Sequence, residues 1–135
     1  MNKLKQEQKI DLVKIASQVR KWSYTPYSNY QVGAAVLTDS GRIYDGVNIE
    51  NAAFSLTVCA ERTAIFKAVS NGEKKFQAIA VVTKDGGTPC GSCRQVMAEF
   101  SPEMLVIVAN DKGKIIMEKK LSDLLPSAFG ADNLK

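Results

Sequence analysis

Two short apolar segments in the second half of the chain constrain the fold most, because a helical segment lies between them. The segments are FQAIAVVT, residues 76–83, and MLVIVA, residues 104–109, and both have the length and composition of strands. Residues 90–100 between them are predicted to form a helix, since Pro89 stands where a helix can begin. A strand, a helix and a strand in this order predict a right-handed crossover within an α/β sheet.

The first half of the chain predicts a helix, a hairpin and a second helix. Apolar residues recur at three- and four-residue steps over residues 6–21, which indicates an amphipathic helix. Residues 31–38 and 42–47 have strand composition, and the turn residues between them favour a hairpin. Helical spacing returns over residues 58–70, and Asn71-Gly72 predicts its end. The hairpin and both helices therefore precede the crossover unit.

A fifth strand and a short helical turn complete the predicted architecture. Residues 113–119 follow a turn and are predicted as the strand, and residues 121–125 as the helical turn. A length of 135 residues, with 45% hydrophobic and 24% charged residues, is typical of one globular domain. We therefore expect a single α/β domain over residues 1–135, built on a five-stranded mixed sheet flanked by helices.

Composition and charge argue against two classes of partner. The apolar runs fall far short of the roughly 20 residues that a membrane span requires, and the N-terminal stretch lacks the pattern of a signal peptide. The formal charge is +4, but the basic residues are scattered and form no run interleaved with aromatic residues, unlike those of a nucleic-acid groove. We expect a cytoplasmic protein that binds neither membrane nor nucleic acid.

Three cysteines and the absence of histidine narrow the chemistry that the chain can support. Cys59, Cys90 and Cys93 all fall at predicted helix starts, where the helix dipole stabilises the thiolate that binds metal. A closed structural zinc site takes four Cys or His ligands, which this chain alone cannot supply. Three protein ligands leave a fourth position for water, whose pKa zinc lowers to about 7. The cysteines together therefore favour a catalytic zinc.

Each of these residues also has a simpler interpretation. The CxxC pair is compatible with a redox role, although it lacks the surrounding thioredoxin pattern and leaves Cys59 unexplained. Cys59 by itself is most simply a small buried apolar residue. Glu61 would by default be a solvated carboxylate in the first turn of a helix, and Arg62 a surface charge. Only the three cysteines taken together favour the metal.

The sequence around the cysteines resembles a known family of enzymes. CAE at residues 59–61 and PCGSCRQV at residues 89–96 are similar to the signature of the zinc-dependent cytidine deaminases, in their small three-cysteine form. Further similarity lies in YSNYQVGAAVL at residues 27–37, GVNIENAA at 46–53 and LLPSAF at 124–129, in the order found in the family. The resemblance covers nearly the whole chain and implies a cytidine deaminase-like fold.

The resemblance implies hydrolysis of cytidine and 2′-deoxycytidine to uridine and 2′-deoxyuridine with release of ammonia, in pyrimidine salvage. Cys59, Cys90 and Cys93 would bind one Zn²⁺ per chain. Glu61 would take a proton from the zinc-bound water, deliver it to N3 of the pyrimidine and later hand one to the leaving amine.

Three thiolates would leave the zinc site with a negative charge that opposes ionisation of its water. The resemblance supports Arg62 as the residue that offsets this charge, through donation from its guanidinium to one or more of the sulfurs. Gln95, two residues after the last cysteine, is a weaker candidate for a similar role.

The resemblance also implies a pocket for a nucleoside. Asn48 and Glu50 would bind the ribose hydroxyls, and the backbone of Ala60 the pyrimidine ring. A carboxylate at position 50 would repel a phosphate, which favours a free nucleoside over a nucleotide. Tyr30 and Phe129 would flank the base, and Phe129 would come from a neighbouring subunit of a homotetramer. Many relatives carry Phe where this chain has Tyr30, whose hydroxyl therefore needs a partner.

Two other functions are compatible with parts of the sequence. A deaminase of another aminopyrimidine nucleoside, such as the antibiotic blasticidin S, would share the CAE and PCxxC segments, but the NIE motif at residues 48–50 favours an ordinary ribose. A zinc or nucleic-acid-binding module without catalytic activity would share the fold. Glu61 argues against such a module, because binding alone does not require a proton carrier.

Overall fold

A five-stranded sheet forms the centre of the protein. The computed structural model describes residues 4–135, so residues 1–3 of the predicted domain lie outside the described residues. The strands are β1 (Gly33–Thr38), β2 (Ile43–Val47), β3 (Phe76–Val82), β4 (Leu105–Ala109) and β5 (Ile115–Lys120). Their order is β2-β1-β3-β4-β5, with β3 and β4 parallel and the other neighbours antiparallel. The predicted five-stranded mixed sheet is confirmed.

Four α-helices accompany the sheet within the described residues. They are α1 (Gln6–Val19), α2 (Ala60–Ser70), α3 (Gly91–Phe100) and the single turn α4 (Leu121–Leu124). Short 3₁₀ segments cover Arg20–Trp22, Phe54–Leu56 and Ala131–Leu134. Helix α3 connects β3 to β4, as the predicted crossover requires. None of the helices in this part of the chain combines the length and the apolar character needed to cross a membrane.

The helices cover both faces of the sheet, so the central strands are buried on both sides. Every residue of β1 is buried, and so is nearly every residue of β3. Leu12, Val13 and Ala16 of α1 pack on one face, against alternate residues of the strands. The other face packs against α2 and α3, whose core includes Ile65 and Met97. Both helices that begin at cysteines therefore lie on the same face.

Gly46 allows α2 to approach β2 very closely. A Cβ at this position would lie 2.4 Å from the amide nitrogen of Ala64 and 2.8 Å from the carbonyl oxygen of Ala60. These are backbone atoms, so a side chain at position 46 would displace the first turns of the helix. The glycine therefore fixes where α2 begins relative to the sheet.

The first residue of β1 and the last residues of β2 and β3 lie side by side at one edge of the sheet. This edge is formed by the ends of strands and not by an outer strand. Gly33 pairs with Val47 on one side and with Val82 on the other. The segments 48–59 and 83–90, which lead to the two cysteine-bearing helix starts, both leave from this edge. Open α/β sheets commonly bind ligands at such an edge, beyond the carboxyl ends of their parallel strands.

Candidate active site

The three cysteine sulfurs lie within 4.8 Å of one another. The sulfurs of Cys59 and Cys90 are 3.8 Å apart, and those of Cys90 and Cys93 are 3.5 Å apart. A tetrahedral zinc with Zn–S bonds of about 2.3 Å separates its sulfurs by about 3.8 Å. Cys93 is buried, Cys59 half-buried and Cys90 exposed, so the cluster opens to one side. The spacing and the chemistry of these donors fit a zinc ion.

Helix geometry explains how residues so far apart in sequence meet. Cys59 and Cys90 are the N-cap residues of α2 and α3, with extended backbones at ψ 154° and 169°. The predicted helices at residues 58–70 and 90–100 therefore begin one or two residues later than expected. Cys93 lies in the first turn of α3. All three sulfurs thus face the positive ends of two helix dipoles, which favours thiolate over thiol.

The pKa values of two thiols in the cluster are shifted in opposite directions. Hydrogen bonds from Cys93, Arg62 and Cys90, together with the Arg62 charge, lower the pKa of the Cys59 thiol to about 5 although burial opposes them. The same hydrogen bond to Cys59, with burial, raises the pKa of the Cys93 thiol. Binding of a divalent cation would replace the remaining protons and release them to solvent.

Glu61 is buried beside the cysteines, with 4% of its surface exposed. Its pKa is raised to about 7, mainly by burial and further by the charge on Cys59, while its own backbone amide, Cys93 and Arg62 act in the opposite direction. A buried carboxyl whose pKa lies near neutrality can accept a proton in one step and donate it in another. The position suits an acid–base group at the open side of a metal.

Arg62 contacts the cluster from the first turn of α2. Its Nη2 donates to the Cys59 sulfur at 3.4 Å, and the thiolate raises the pKa of the guanidinium in return. Its Nε is buried and has no hydrogen-bond partner within residues 4–135. The bond from Nη2 shows that the guanidinium is directed at the cysteine cluster.

Asn48 and Glu50 both hold the segment that leads to β1. Asn48 donates through Nδ2 to the Tyr30 carbonyl at 2.8 Å and accepts at Oδ1 from the Val32 amide at 3.0 Å. Glu50 Oε1 accepts from the amides of Tyr27 and Ser28, and Oε2 accepts from the Ser28 hydroxyl. These bonds lower the pKa of the Glu50 carboxyl, the Ser28 hydroxyl most strongly. The carboxyl is therefore ionised at neutral pH.

The remaining predicted pocket residues lie around the same edge of the sheet. Ala60 is fully buried as the first residue of α2, where the backbone N–H has no acceptor within the helix. Tyr30 is 40% exposed, and its hydroxyl donates to Asp85. Phe129 is 58% exposed, in the tail beyond α4. A single chain therefore leaves the Phe129 ring largely in solvent.

The Gln95 side chain forms its hydrogen bond with the C-terminal tail and not with a cysteine sulfur. Its Nε2 donates to the carbonyl oxygen of Phe129 at 2.9 Å. The structure shows no hydrogen bond from Gln95 to a cysteine within the described residues. Gln95 therefore fixes the tail that carries Phe129.

Arg94 and Asp85 are site residues that the sequence analysis did not identify. Arg94 donates to the carbonyl oxygens of Pro89 and Leu124 and to the Thr88 hydroxyl, at 2.8, 2.9 and 3.3 Å. It therefore braces the turn before Cys90 against the start of the tail. Its position directly after Cys93 was the available signal. Asp85 had none, because it stands in a stretch rich in turn residues.

A separate surface groove of about 890 Å³ lies at the opposite edge of the sheet, near the starts of β3 and β4. Its lining includes Phe76, Phe100 and Leu105. None of the cysteines lines it. The groove is distant from the residues that carry chemistry and plays no part in the candidate site.

Comparisons with known proteins identify the family that this chain resembles. The family described as "Cytidine and deoxycytidylate deaminase zinc-binding region" matches residues 6–109. A cytidine deaminase of Halalkalibacterium halodurans is 52% identical over 126 residues, covering 91% of this chain and 95% of the relative. A cytidine deaminase of Sporosarcina psychrophila is 50% identical over 126 residues, covering 91% of this chain and 92% of the relative.

The fold is also similar to a solved structure. The crystal structure of a cytidine deaminase from Burkholderia pseudomallei superposes with a TM-score of 0.85 at 41% identity, covering 93% of this chain and all of that chain. The resemblance predicted from the sequence is thus confirmed by the family match, by relatives aligned over most of both chains and by the fold. Together with the three clustered cysteines, these similarities show that the chain belongs to the cytidine deaminase family.

Proposed function

We propose that this protein hydrolyses cytidine and 2′-deoxycytidine to uridine and 2′-deoxyuridine with release of ammonia, as a step of pyrimidine salvage. The observation that carries the proposal is the close approach of three cysteine sulfurs beside the buried carboxyl of Glu61. Burying a carboxyl is costly, and a module that only binds metal or nucleic acid gains nothing from it. The pairing therefore favours an enzyme.

Cys59, Cys90 and Cys93 would hold one Zn²⁺ per chain. Thiolate donors in a tetrahedral arrangement favour zinc over magnesium, calcium or manganese. A bound zinc supplies a Lewis acid that makes a water at its open position acidic near neutral pH. The cysteines fill three positions and leave one for the reaction.

Glu61 carries the protons of the reaction. Its carboxylate accepts a proton from the attacking water and passes it to N3 of the pyrimidine. Glu61 then takes the second proton, from the hydroxyl now on C4, and donates it to the exocyclic amine as the bond from that nitrogen to C4 breaks. The oxygen of the water remains on C4, so one water is consumed and one ammonia released. The buried position of Glu61 keeps bulk solvent from competing for these protons.

Arg62 adjusts the charge of the metal site. Three thiolates with one Zn²⁺ carry a net charge of about −1, which disfavours the loss of a proton from water. Donation from the guanidinium to the Cys59 sulfur withdraws electron density from one ligand. Arg62 therefore restores acidity that an all-thiolate site would lose.

Asn48 and Glu50 bind the ribose hydroxyls. The Asn48 amide keeps one N–H and one lone pair beyond its two bonds to the backbone. Glu50 Oε2 is bonded to the Ser28 hydroxyl and retains capacity to accept from a sugar hydroxyl. An ionised carboxylate at this place repels a phosphate, so a free nucleoside is preferred to a nucleotide.

The pyrimidine ring lies between Tyr30 and Phe129 and is bound by the backbone of Ala60. The N–H groups at the start of α2 lack acceptors within the helix and suit the polar edge of a pyrimidine. Aromatic rings on both sides of a base stabilise it by stacking. Two observations on Phe129 support this role. Its side chain is exposed in one chain, and its carbonyl oxygen accepts a hydrogen bond from Gln95.

A homotetramer in the cytoplasm is the proposed assembly, with Phe129 reaching the pocket of a neighbouring subunit. Support comes from large apolar side chains that are exposed in one chain, since exposed apolar surface can mark an interaction site. Trp22, Phe54 and Leu56 have 71%, 75% and 64% of their surfaces exposed. Association of identical chains would cover these side chains and complete the pocket.

The proposal is tested by incubating the purified protein with cytidine, 2′-deoxycytidine, dCMP and blasticidin S while the ultraviolet absorbance and ammonia are followed. We expect both nucleosides to be deaminated and dCMP to react at least about 10-fold more slowly, because its phosphate would lie near the ionised site carboxylate. Preferential deamination of blasticidin S or dCMP would contradict the substrate assignment. Zinc-loaded protein that is inert toward all four would contradict the enzymatic proposal.

A further inference from the structure

We infer that Asp85 is a positioning residue of the base pocket, whose carboxylate holds the Tyr30 hydroxyl and thereby orients the Tyr30 ring against the substrate. The Tyr30 hydroxyl donates to Asp85 Oδ1 at 2.8 Å, across 55 residues of sequence. This inference rests on the proposed function, in which Tyr30 flanks the pyrimidine. It adds a residue outside the cysteine, Glu61 and ribose sites.

Asp85 is itself fixed to the sheet. The Thr83 hydroxyl donates to the same Oδ1 at 3.2 Å, and Thr83 is 2% exposed, directly after β3. Thr83 Oγ1 in turn accepts from the amides of Gly86 and Gly87, at 2.8 Å each. The acceptor of the Tyr30 hydroxyl is therefore part of a closed turn anchored in the core. A fixed acceptor can orient a side chain that a mobile one could not.

The Tyr30 side chain needs such an anchor. Residues 25–32 contain no helix or strand, and the backbone around Tyr30 is held by side chains such as Asn48 and Ser28. The ring is 40% exposed, so packing alone leaves it room to rotate. The hydroxyl donates to Asp85, and the Thr83 hydroxyl interacts with it as a second hydrogen-bonding group.

Gly87 leaves the space in which the hydroxyl sits. A Cβ at this position would lie 2.8 Å from the Tyr30 oxygen, closer than unbonded atoms approach. A side chain at position 87 would therefore push the ring away from Asp85. Replacement of Tyr30 by Phe removes the hydroxyl and would relieve this steric conflict. A side chain at position 87 therefore gives a second, independent test of where the Tyr30 hydroxyl lies.

The turn that holds the ring also leads to the metal ligands. It continues into Pro89, whose carbonyl oxygen accepts from Arg94, and then into Cys90. The hydroxyl of Tyr30 is the largest contributor to a lowered pKa of the Asp85 carboxyl, so the acceptor is charged at neutral pH. One turn thus serves the wall of the pocket and the approach to the metal.

The experiment is a double-mutant cycle read as KM and kcat for cytidine, with zinc content and Tm measured for every variant. Asp85→Ala leaves the Tyr30 hydroxyl without its acceptor, so KM should rise about 5-fold or more while kcat and zinc stay within about 2-fold. Asp85→Asn keeps an oxygen acceptor and should restore KM to within about 2-fold of the parent. Asp111→Ala removes an exposed acid from another turn and controls for net charge.

Coupling between the two residues decides the inference. In the Tyr30→Phe background, which lacks the hydroxyl, Asp85→Ala should change KM by less than about 2-fold. Gly87→Ala should likewise raise KM less in that background than in the parent. Equal effects of Asp85→Ala in both backgrounds, or a loss confined to kcat and zinc, would overturn the positioning role. A parent that does not deaminate cytidine would overturn the proposed function as well, so the two failures are distinguishable.

Discussion

The Arg62 guanidinium donates to the sulfur of Cys59 at 3.4 Å, three residues before it on the same helix start. Glu61 lies between them in sequence and is buried against the same cluster. The residues proposed as metal ligand, proton carrier and charge-compensating group thus lie together at the start of α2. The position of that helix start on the sheet therefore sets the geometry of the proposed site.

Replacement of Arg62 by Ala should reduce catalysis more than metal binding. Loss of a partner that tunes a metal ligand costs about 10- to 100-fold in metal affinity or in activity. Because the three thiolates remain to bind zinc here, we expect the loss to fall on activity. The measurement is kcat/KM for cytidine beside zinc per chain. Lys67→Ala, which breaks the exposed ion pair with Asp45 on the same helix, should change neither. Equal loss of activity and zinc would instead assign Arg62 to metal retention.

Replacement of Gly46 by Ala should destabilise the protein and disturb the metal site together. The added Cβ meets backbone atoms of Ala60 and Ala64 at less than 3.0 Å, so α2 must shift. Overpacking of this kind costs about 1–3 kcal/mol, which denaturant unfolding would detect. Zinc content should fall as well. Gly130→Ala is the matched control, because nothing lies within 4 Å of a Cβ at that position. The control should change neither the free energy of unfolding nor the zinc content, and a Gly46→Ala protein that behaved like the control would contradict this account of Gly46.

Replacement of Glu50 by Gln should weaken nucleoside binding while keeping the fold. The amide oxygen can still accept from the Tyr27 and Ser28 amides, but the charged acceptor for the ribose is lost. Hydrogen bonds to a charged acceptor are roughly twice as strong as those to a neutral one, so KM for cytidine should rise about 10-fold or more. The same change should have little effect on KM for 2′,3′-dideoxycytidine, which lacks the 3′-hydroxyl. Equal effects on both nucleosides would argue that Glu50 acts only through the segment 27–28.

Phe129 should act in the pocket of a neighbouring subunit. Phe129→Ala alone should raise KM, and Glu61→Gln alone should abolish activity. Mixed oligomers of these two variants, formed by dissociation and reassociation, should regain part of the parental activity, because some pockets combine intact residues from both chains. The particle mass should be about four times the chain mass of 14.7 kDa. A monomer, or mixtures no more active than the separate variants, would refute this assembly.

The fold was predictable because the chain separates strand runs from helical segments clearly. The differences lie at element ends, where tertiary contacts decide. The first strand was expected from residue 31, but Gln31 and Val32 bond to Arg20 and Asn48 instead of joining the sheet, so β1 begins at Gly33. The fifth strand begins at Ile115, because the Lys114 amide bonds to the Asn110 side chain in the preceding turn. Local composition does not reveal such partners.

The cysteine cluster was more predictable than its surroundings. Three cysteines without histidine limited the possible ligand sets, and the structure brings all three together. Asp85 and Arg94 could not be identified, since their partners are distant in sequence or are backbone carbonyls. Gln95 was placed near the sulfurs by sequence proximity to Cys93, but its side chain contacts the tail. Side-chain direction within a helix start decides such cases.

The central claim is that Glu61 carries protons beside a zinc held by three cysteines. The most direct measurement is cytidine deamination by Glu61→Ala and Glu61→Gln beside the parent, with zinc determined on the same samples. We predict about one zinc per chain in all three proteins. Activity in the two variants should fall by at least about 10³-fold, which is the size of effect expected when general acid–base catalysis is lost. Variants that keep zinc and retain activity within 10-fold of the parent would contradict the claim.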